Sequence, residues 1–145
     1  MMKYLDLKKL PSLLFSACLL LPGIGFAEEE GTEAPTRVEN GILYMSGGIG
    51  ENQQQSMVQR RKDYTLALTF AMKKTGEYVA DVNVLIQNAA NQKILETKST
   101  GPFFYAKLPP GKYKVSAELD GKSQSKSTQI KITGLRELYF YWEGE

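Results

Sequence analysis

The chain has 145 residues, 18 Lys and Arg against 16 Asp and Glu, no His, and one Cys, Cys18. That length suits a single domain with room for a real core. The near-even charge offers no electrostatic footprint for nucleic acid, and a chain without His lacks the commonest general base and zinc ligand.

Lys3, Lys8 and Lys9 give a basic start, Leu13 to Phe26 form an apolar run, and Gly25-Phe26-Ala27 places small residues where cleavage usually falls. This is the layout of a secretory signal peptide over residues 1–27. The run is short for a bilayer span. The expectation is export to the periplasm or beyond, with no stable membrane insertion after cleavage. Lipid anchoring at Cys18 is the rival, because Ser16-Ala17-Cys18 looks like half a lipobox. Phe15 suits the start of that motif poorly, and Leu19-Leu20-Leu21 stays apolar where a lipoprotein should turn polar. Taking the three Lys and one Asp of the signal from the 18 basic and 16 acidic residues leaves an even balance. It also removes Cys18, so disulfides, thiol nucleophiles and most transition-metal sites go with it. The expected fold holds by packing alone and carries neither metal nor cofactor.

Residues 28–40 are acidic and nearly free of large apolar side chains, and read as a flexible leader. An acidic arm for a basic partner is the functional alternative. The domain is then 41–145. Ile42 to Met45 is a short strand. Ser46-Gly47-Gly48-Ile49-Gly50-Glu51 follows and leads into a polar helix over Asn52 to Lys62. A Gly-rich loop opening a helix can offer N–H groups to an anion, which makes Gly47, Gly48 and Gly50 candidate binding residues. The loop lacks the Lys-Ser/Thr of a P-loop and the spacing of a dinucleotide fingerprint, so a plain strand-to-helix turn is the simpler reading. Ile49, Gln53, Met57 and Arg61 share one helix face, a thin stripe that can rest on a sheet edge. Arg60, Arg61 and Lys62 complement the helix dipole.

Tyr64, Leu66, Leu68, Phe70 and Met72 alternate with Thr65, Ala67, Thr69 and Ala71. The small residues on the second face mark this strand as central. Val79 to Gln87 is the next strand, Asn88 to Asn91 a turn, Lys93 to Thr97 a shorter strand, and Phe103 to Leu108 another. Leu108-Pro109-Pro110-Gly111 turns a corner, with Pro110 and Gly111 suited to a type II turn. Tyr113, Val115, Ala117 and Leu119 then alternate with Lys112, Lys114, Ser116 and Glu118. Asp120-Gly121 is a two-residue hairpin signal. The returning strand runs to Ile132, with Thr128, Ile130 and Ile132 inward. The last strand puts Leu138, Phe140 and Trp142 on one face and Tyr139 and Tyr141 on the other.

Seven to eight short strands with regular turns and one short helix predict an all-β, antiparallel Greek-key sandwich. Tyr78 to Ile86, the Gly101-Pro102-Phe103 entry and Leu108-Pro109-Pro110-Gly111-Lys112-Tyr113-Lys114-Val115 resemble the carboxypeptidase regulatory-like domain, a transthyretin-like sandwich. The likeness covers about 64–133, and the whole chain is similar to small exported bacterial proteins that carry this domain alone. It departs at Lys98-Ser99-Thr100-Gly101, where such domains often place Thr-Asp-x-x-Gly, so an acidic calcium-type loop is not expected. The zinc peptidase that gives the family its name is absent, and its His ligands cannot exist here. The resemblance implies a non-catalytic module that supports folding or binds proteins or glycans.

Three functions follow as expectations. The first is a non-enzymatic module binding a protein or glycan of the cell envelope, with Tyr139, Tyr141 and Trp142 as candidate ring contacts. The second is an assembly subunit self-associating through an edge strand. The third is a hydrolase using carboxylates among Glu51, Asp63, Glu77, Asp81, Glu96, Glu118 and Asp120, which would need two of them converging in a cleft. Ser46 as a nucleophile would need a Lys base.

Overall fold

Asp120 and Gly121 turn with φ of 50° and 77°, and Asn40 and Gly41 with 49° and 75°. Both pairs have the two left-handed residues of a type I′ turn, whose twist matches that of paired strands. The first joins the long ladder of the domain; the second joins the expected strand at Ile42 to another strand inside the expected leader. The computed structural model describes residues 33–144. The expected signal peptide 1–27, Cys18 and the first residues of the leader lie outside the described residues.

The elements in order are β1 (Thr36–Glu39), β2 (Ile42–Gly47), α1 (Glu51–Arg60) with a 3₁₀ turn over Arg61–Asp63, β3 (Leu66–Met72), β4 (Val82–Asn88), β5 (Lys93–Ser99), β6 (Phe103–Lys107), β7 (Gly111–Leu119), β8 (Lys122–Ile130) and β9 (Arg136–Trp142). They form a five-stranded sheet in the order β1-β2-β6-β3-β9 and a four-stranded sheet in the order β5-β4-β7-β8. The all-β sandwich with one short helix is therefore what the chain folds into. Its nine strands among the described residues exceed the expected seven or eight because Thr36–Glu39, inside the expected leader, pairs with β2 as β1.

One pairing is parallel. β9 joins the sheet edge beside β3 in the same direction, from Leu66 opposite Arg136 to Met72 opposite Trp142. The cause is the short connection after β8. It delivers the chain to the end of the sandwich where β3 begins, and the Arg136 N–H bonds the Thr65 carbonyl there.

Between the sheets lies a core of Leu66, Leu68, Phe70, Val82, Val84, Ile86, Leu95, Phe104, Val115, Ile130 and Phe140 with their neighbours. A second, smaller core sits on the outer face of the five-stranded sheet. There Met57 of α1 packs with Ala34, Met45, Tyr64, Ala67, Phe103 and Tyr105. The helix thus rests on a sheet face through Met57; Ile49, expected on the same stripe, is exposed. Ile132, expected inward, lies beyond the end of β8 and is 87 % exposed. The Pro109-Pro110-Gly111 corner is an open bend, with Gly111 at φ 154° where a type II turn needs about +80°. The Pro109 carbonyl that such a turn would occupy accepts instead from the Tyr113 hydroxyl at 2.7 Å. Among the described residues no helix is long and apolar enough to cross a membrane.

Candidate functional site

The outer face of the five-stranded sheet has two regions. α1 covers β2 and its neighbours. The outward residues of β3 are Ala67, Thr69 and Ala71, the small side chains noted in the sequence; Ala67 belongs to the core beneath α1, and Thr69 and Ala71 continue the face beyond it. Register sets what stands beside each of them, because residues directly opposite across a sheet share a face. Ala67 lies between Tyr105 and Glu137, Thr69 between Phe103 and Tyr139, and Ala71 between Tyr78 and Tyr141. A floor of small residues thus runs between two walls of larger ones.

On the β9 wall, Tyr139 and Tyr141 stack with ring centres 6.4 Å apart and planes 10° from parallel. They are 41 % and 48 % exposed, although each belongs to a seven-residue strand in the sheet. On the other wall Tyr78, 49 % exposed, meets Phe103 edge-on at 5.3 Å, and Phe103 stacks on Tyr105 at 6.5 Å. Tyr105 is buried beneath Phe103 and Tyr64. Burial pushes its phenol up to about 12; Arg61 opposes the shift, while Glu137, Tyr78 and Tyr139 add to it. Arg61 and Glu137 form a 2.7 Å ion pair at this end of the floor.

Trp142 does not belong to this surface. It is on the core face of β9 with Leu138 and Phe140, stacks on Phe140, tilts against Phe70, and donates its indole N–H to the Lys122 carbonyl. The alternation that exposes Tyr139 and Tyr141 buries Trp142.

The glycine loop has its own internal occupant. The Gln53 side-chain oxygen accepts from the Gly48 and Ile49 N–H groups at 2.7 and 3.1 Å. Those are the donors an anion cradle would present. Close packing explains the glycines: a Cβ on Gly47 would lie 2.8 Å from the Ala34 Cβ, and one on Gly48, at φ 101°, would lie 2.6 Å from the Phe103 ring. Gly50 is exposed, marks the helix start, and its carbonyl accepts from the Gln54 N–H. Ser46 shares hydrogen bonds with Thr100 at 3.2 and 3.1 Å, tying β2 to the β5–β6 connection rather than facing a base.

The acids are scattered. Glu51, Asp63, Glu77, Asp81, Glu96, Glu118 and Asp120 are all exposed. Glu96 and Glu118 share a shallow hollow on the outer face of the four-stranded sheet, and Asp81 and Asp120 line another at the sandwich end. Glu96 is ion-paired with Lys93. Among the described residues no group of three or more His, Cys, Asp or Glu is placed to hold a metal.

Sequence reasoning put Tyr139 and Tyr141 on one face but missed Tyr78, Phe103 and Tyr105 as the opposite wall. The small-residue face of β3 was the available signal, since it says that something other than β3 supplies the bulk there. No protein-family model matches the chain, and no curated protein does.

Proposed function

We propose that this protein is an exported, non-catalytic binding module that takes a glycan or protein of the cell envelope across the outer face of its five-stranded sheet. The observation that carries the proposal is the exposed, near-parallel pair Tyr139 and Tyr141 facing Tyr78 and Phe103 across Ala67, Thr69 and Ala71. Tyr139, Tyr141 and Tyr78, held in order by a sheet yet left in contact with water, are a surface for stacking, with Phe103 buried behind Tyr78. A glycan is the better fit. Ring faces take sugar faces, and the Arg61–Glu137 pair and Thr69 supply hydrogen-bonding groups beside them. A peptide adding as a strand to β9 fits less well, because the Tyr139 and Tyr141 carbonyls already accept from Lys126 and Gln124. Export rests on the signal-peptide layout of residues 1–27. The likeness to carboxypeptidase regulatory-like domains supports a module without catalysis, and the exposed carboxylates lend nothing to a hydrolase.

The test is affinity electrophoresis and pull-down with envelope polysaccharide, comparing the native chain with Tyr139→Ala/Tyr141→Ala. Retardation of the native protein, lost in the variant while its melting temperature holds, supports the proposal. Equal retardation of both, or none, removes it.

A further inference from the structure

A second feature stands apart from the aromatic face. At the end of the sandwich where β7 starts and β8 finishes, a concavity of about 540 Å³ is bordered by Lys112, Lys114 and Arg136, and no Asp or Glu lines it. In a domain of nearly even charge this segregation is a local property. None of the three cations takes part in an ion pair among the described residues, where Arg61, Lys73 and Lys93 are each paired.

Fixed groups hold the site. Lys112 and Lys114 occupy alternate positions of β7, opposite Gln129 and Ser127 of β8 in the ladder, so these four positions share the outer face of the four-stranded sheet. Between them Tyr113 turns inward and is anchored to Pro109 through its hydroxyl. Arg136 closes the rim. Its main-chain N–H bonds Thr65, and its Nε donates to the buried Thr128 hydroxyl at 3.0 Å. That leaves the two terminal guanidinium nitrogens without a protein acceptor among the described residues. A guanidinium with both terminal nitrogens free is suited to bidentate contact with an oxyanion, and the two lysines that border the same concavity from the outer face add charge without geometric demand.

We propose that this concavity is a binding site for a multi-oxygen anion: a carboxylate or phosphate carried on a hydroxyl-bearing molecule. Lys112, Lys114 and Arg136 meet the charge, and Ser127 and Gln129 meet neighbouring hydroxyls. The site is independent of the aromatic face, and either can fail without the other.

The two sources of such an anion are separated by the probes. The purified protein is titrated with inorganic pyrophosphate, with trigalacturonate and with neutral maltotriose, following backbone amide shifts by NMR at low salt. The expected result is saturable shifts around Lys112, Lys114 and Arg136 with one or both anions and none there with maltotriose; the tighter probe identifies phosphate or uronate chemistry. Lys112→Gln/Lys114→Gln weakens that binding about tenfold or more, as loss of charge-assisted contacts requires. Lys98→Gln, outside the site, and Tyr139→Ala/Tyr141→Ala leave it unchanged. Absence of localised shifts up to about 10 mM of either anion overturns the proposal. So does equal weakening by Lys98→Gln, which would mean unspecific attraction, or unaltered binding by the double lysine variant.

Discussion

Lys126 of one sheet donates its ammonium group to the main-chain carbonyl of Tyr139 in the other. The same nitrogen lies 5.3 Å from the centre of the Phe140 ring. Two positions along, Gln124 donates to the Tyr141 carbonyl. β9 is an edge strand by topology, yet two of the carbonyls it turns outward, those of Tyr139 and Tyr141, are filled from within the chain. An uncovered edge is a template for a second copy, and here side chains of β8 occupy the template.

Replacing these two side chains should expose it. Lys126→Met with Gln124→Leu is expected to cost about 1–2 kcal/mol per lost contact, from the hydrogen bonds and the cation–π contact. The variant should also self-associate as its concentration rises. Light scattering coupled to size exclusion checks this. A variant that stays monomeric at every concentration would mean that something else protects the edge.

The two faces of β9 should respond oppositely to truncation. Phe140 is fully buried between the sheets, so Phe140→Ala should lose about 3–5 kcal/mol in chemical denaturation. Tyr139→Ala and Tyr141→Ala each remove a half-exposed ring and should cost about 1 kcal/mol or less. Similar losses at all three positions would contradict the placement of the tyrosines on an open face.

Gly101 and Gln53 test the loop that opens the helix. A Cβ on Gly101 would sit 2.2 Å from the Gly47 carbonyl oxygen, which is backbone and has little freedom to yield. Gly101→Ala is therefore expected to destabilise by about 3 kcal/mol or more, and to do so without touching any ligand surface. Gln53→Ala withdraws the acceptor from the Gly48 and Ile49 N–H groups and should cost about 1–2 kcal/mol. Thermal melts of both variants decide the matter, and a neutral Gly101→Ala would refute the close approach of the two loops.

Alkaline pH should unfold the domain through a specific phenol. Tyr105 titrates at about 12 when folded because burial disfavours its phenolate. A tyrosine in the unfolded chain titrates near 10. The unfolded state thus gives up this proton first, so stability is intact below pH 10 and falls as pH rises from about 10 to 12. Tyr113, also raised by burial, acts in the same direction. Tyr105→Phe should flatten the fall, measured as denaturation midpoints against pH. A slope unchanged by this substitution would assign it to other groups.

Much of the sandwich can be read from alternation alone. The strand pattern of Tyr113, Val115 and Ala117, the Asp120-Gly121 hairpin and the division of β9 into two faces are local, and the structure keeps them. Three features escaped because their causes are not local. Thr36–Glu39 has little apolar content, and only its pairing with β2 makes it a strand, although Asn40-Gly41 marked the turn. The direction of β9 depends on which end of the sandwich the chain reaches after β8. Ile132 continues the period of its strand, but the strand has already ended. The aromatic face was half legible for the same reason. Tyr139 and Tyr141 follow from one strand's period, whereas Tyr78 and Phe103 become their counterparts only through β3.

The position of β3 also governs the order in which the chain can assemble. Its Leu-Ala-Leu-Thr-Phe-Ala-Met segment finds one neighbour in Phe103–Lys107 and the other in Arg136–Trp142, both downstream and the second about seventy positions away. Until those segments have been synthesised, this mostly buried strand has no partner on either side. Distant pairings of this kind close slowly, since a long loop must be drawn together before any contact rewards it. A chain built in this way gains little by folding from its beginning, because its central strand is completed only when its last strand arrives.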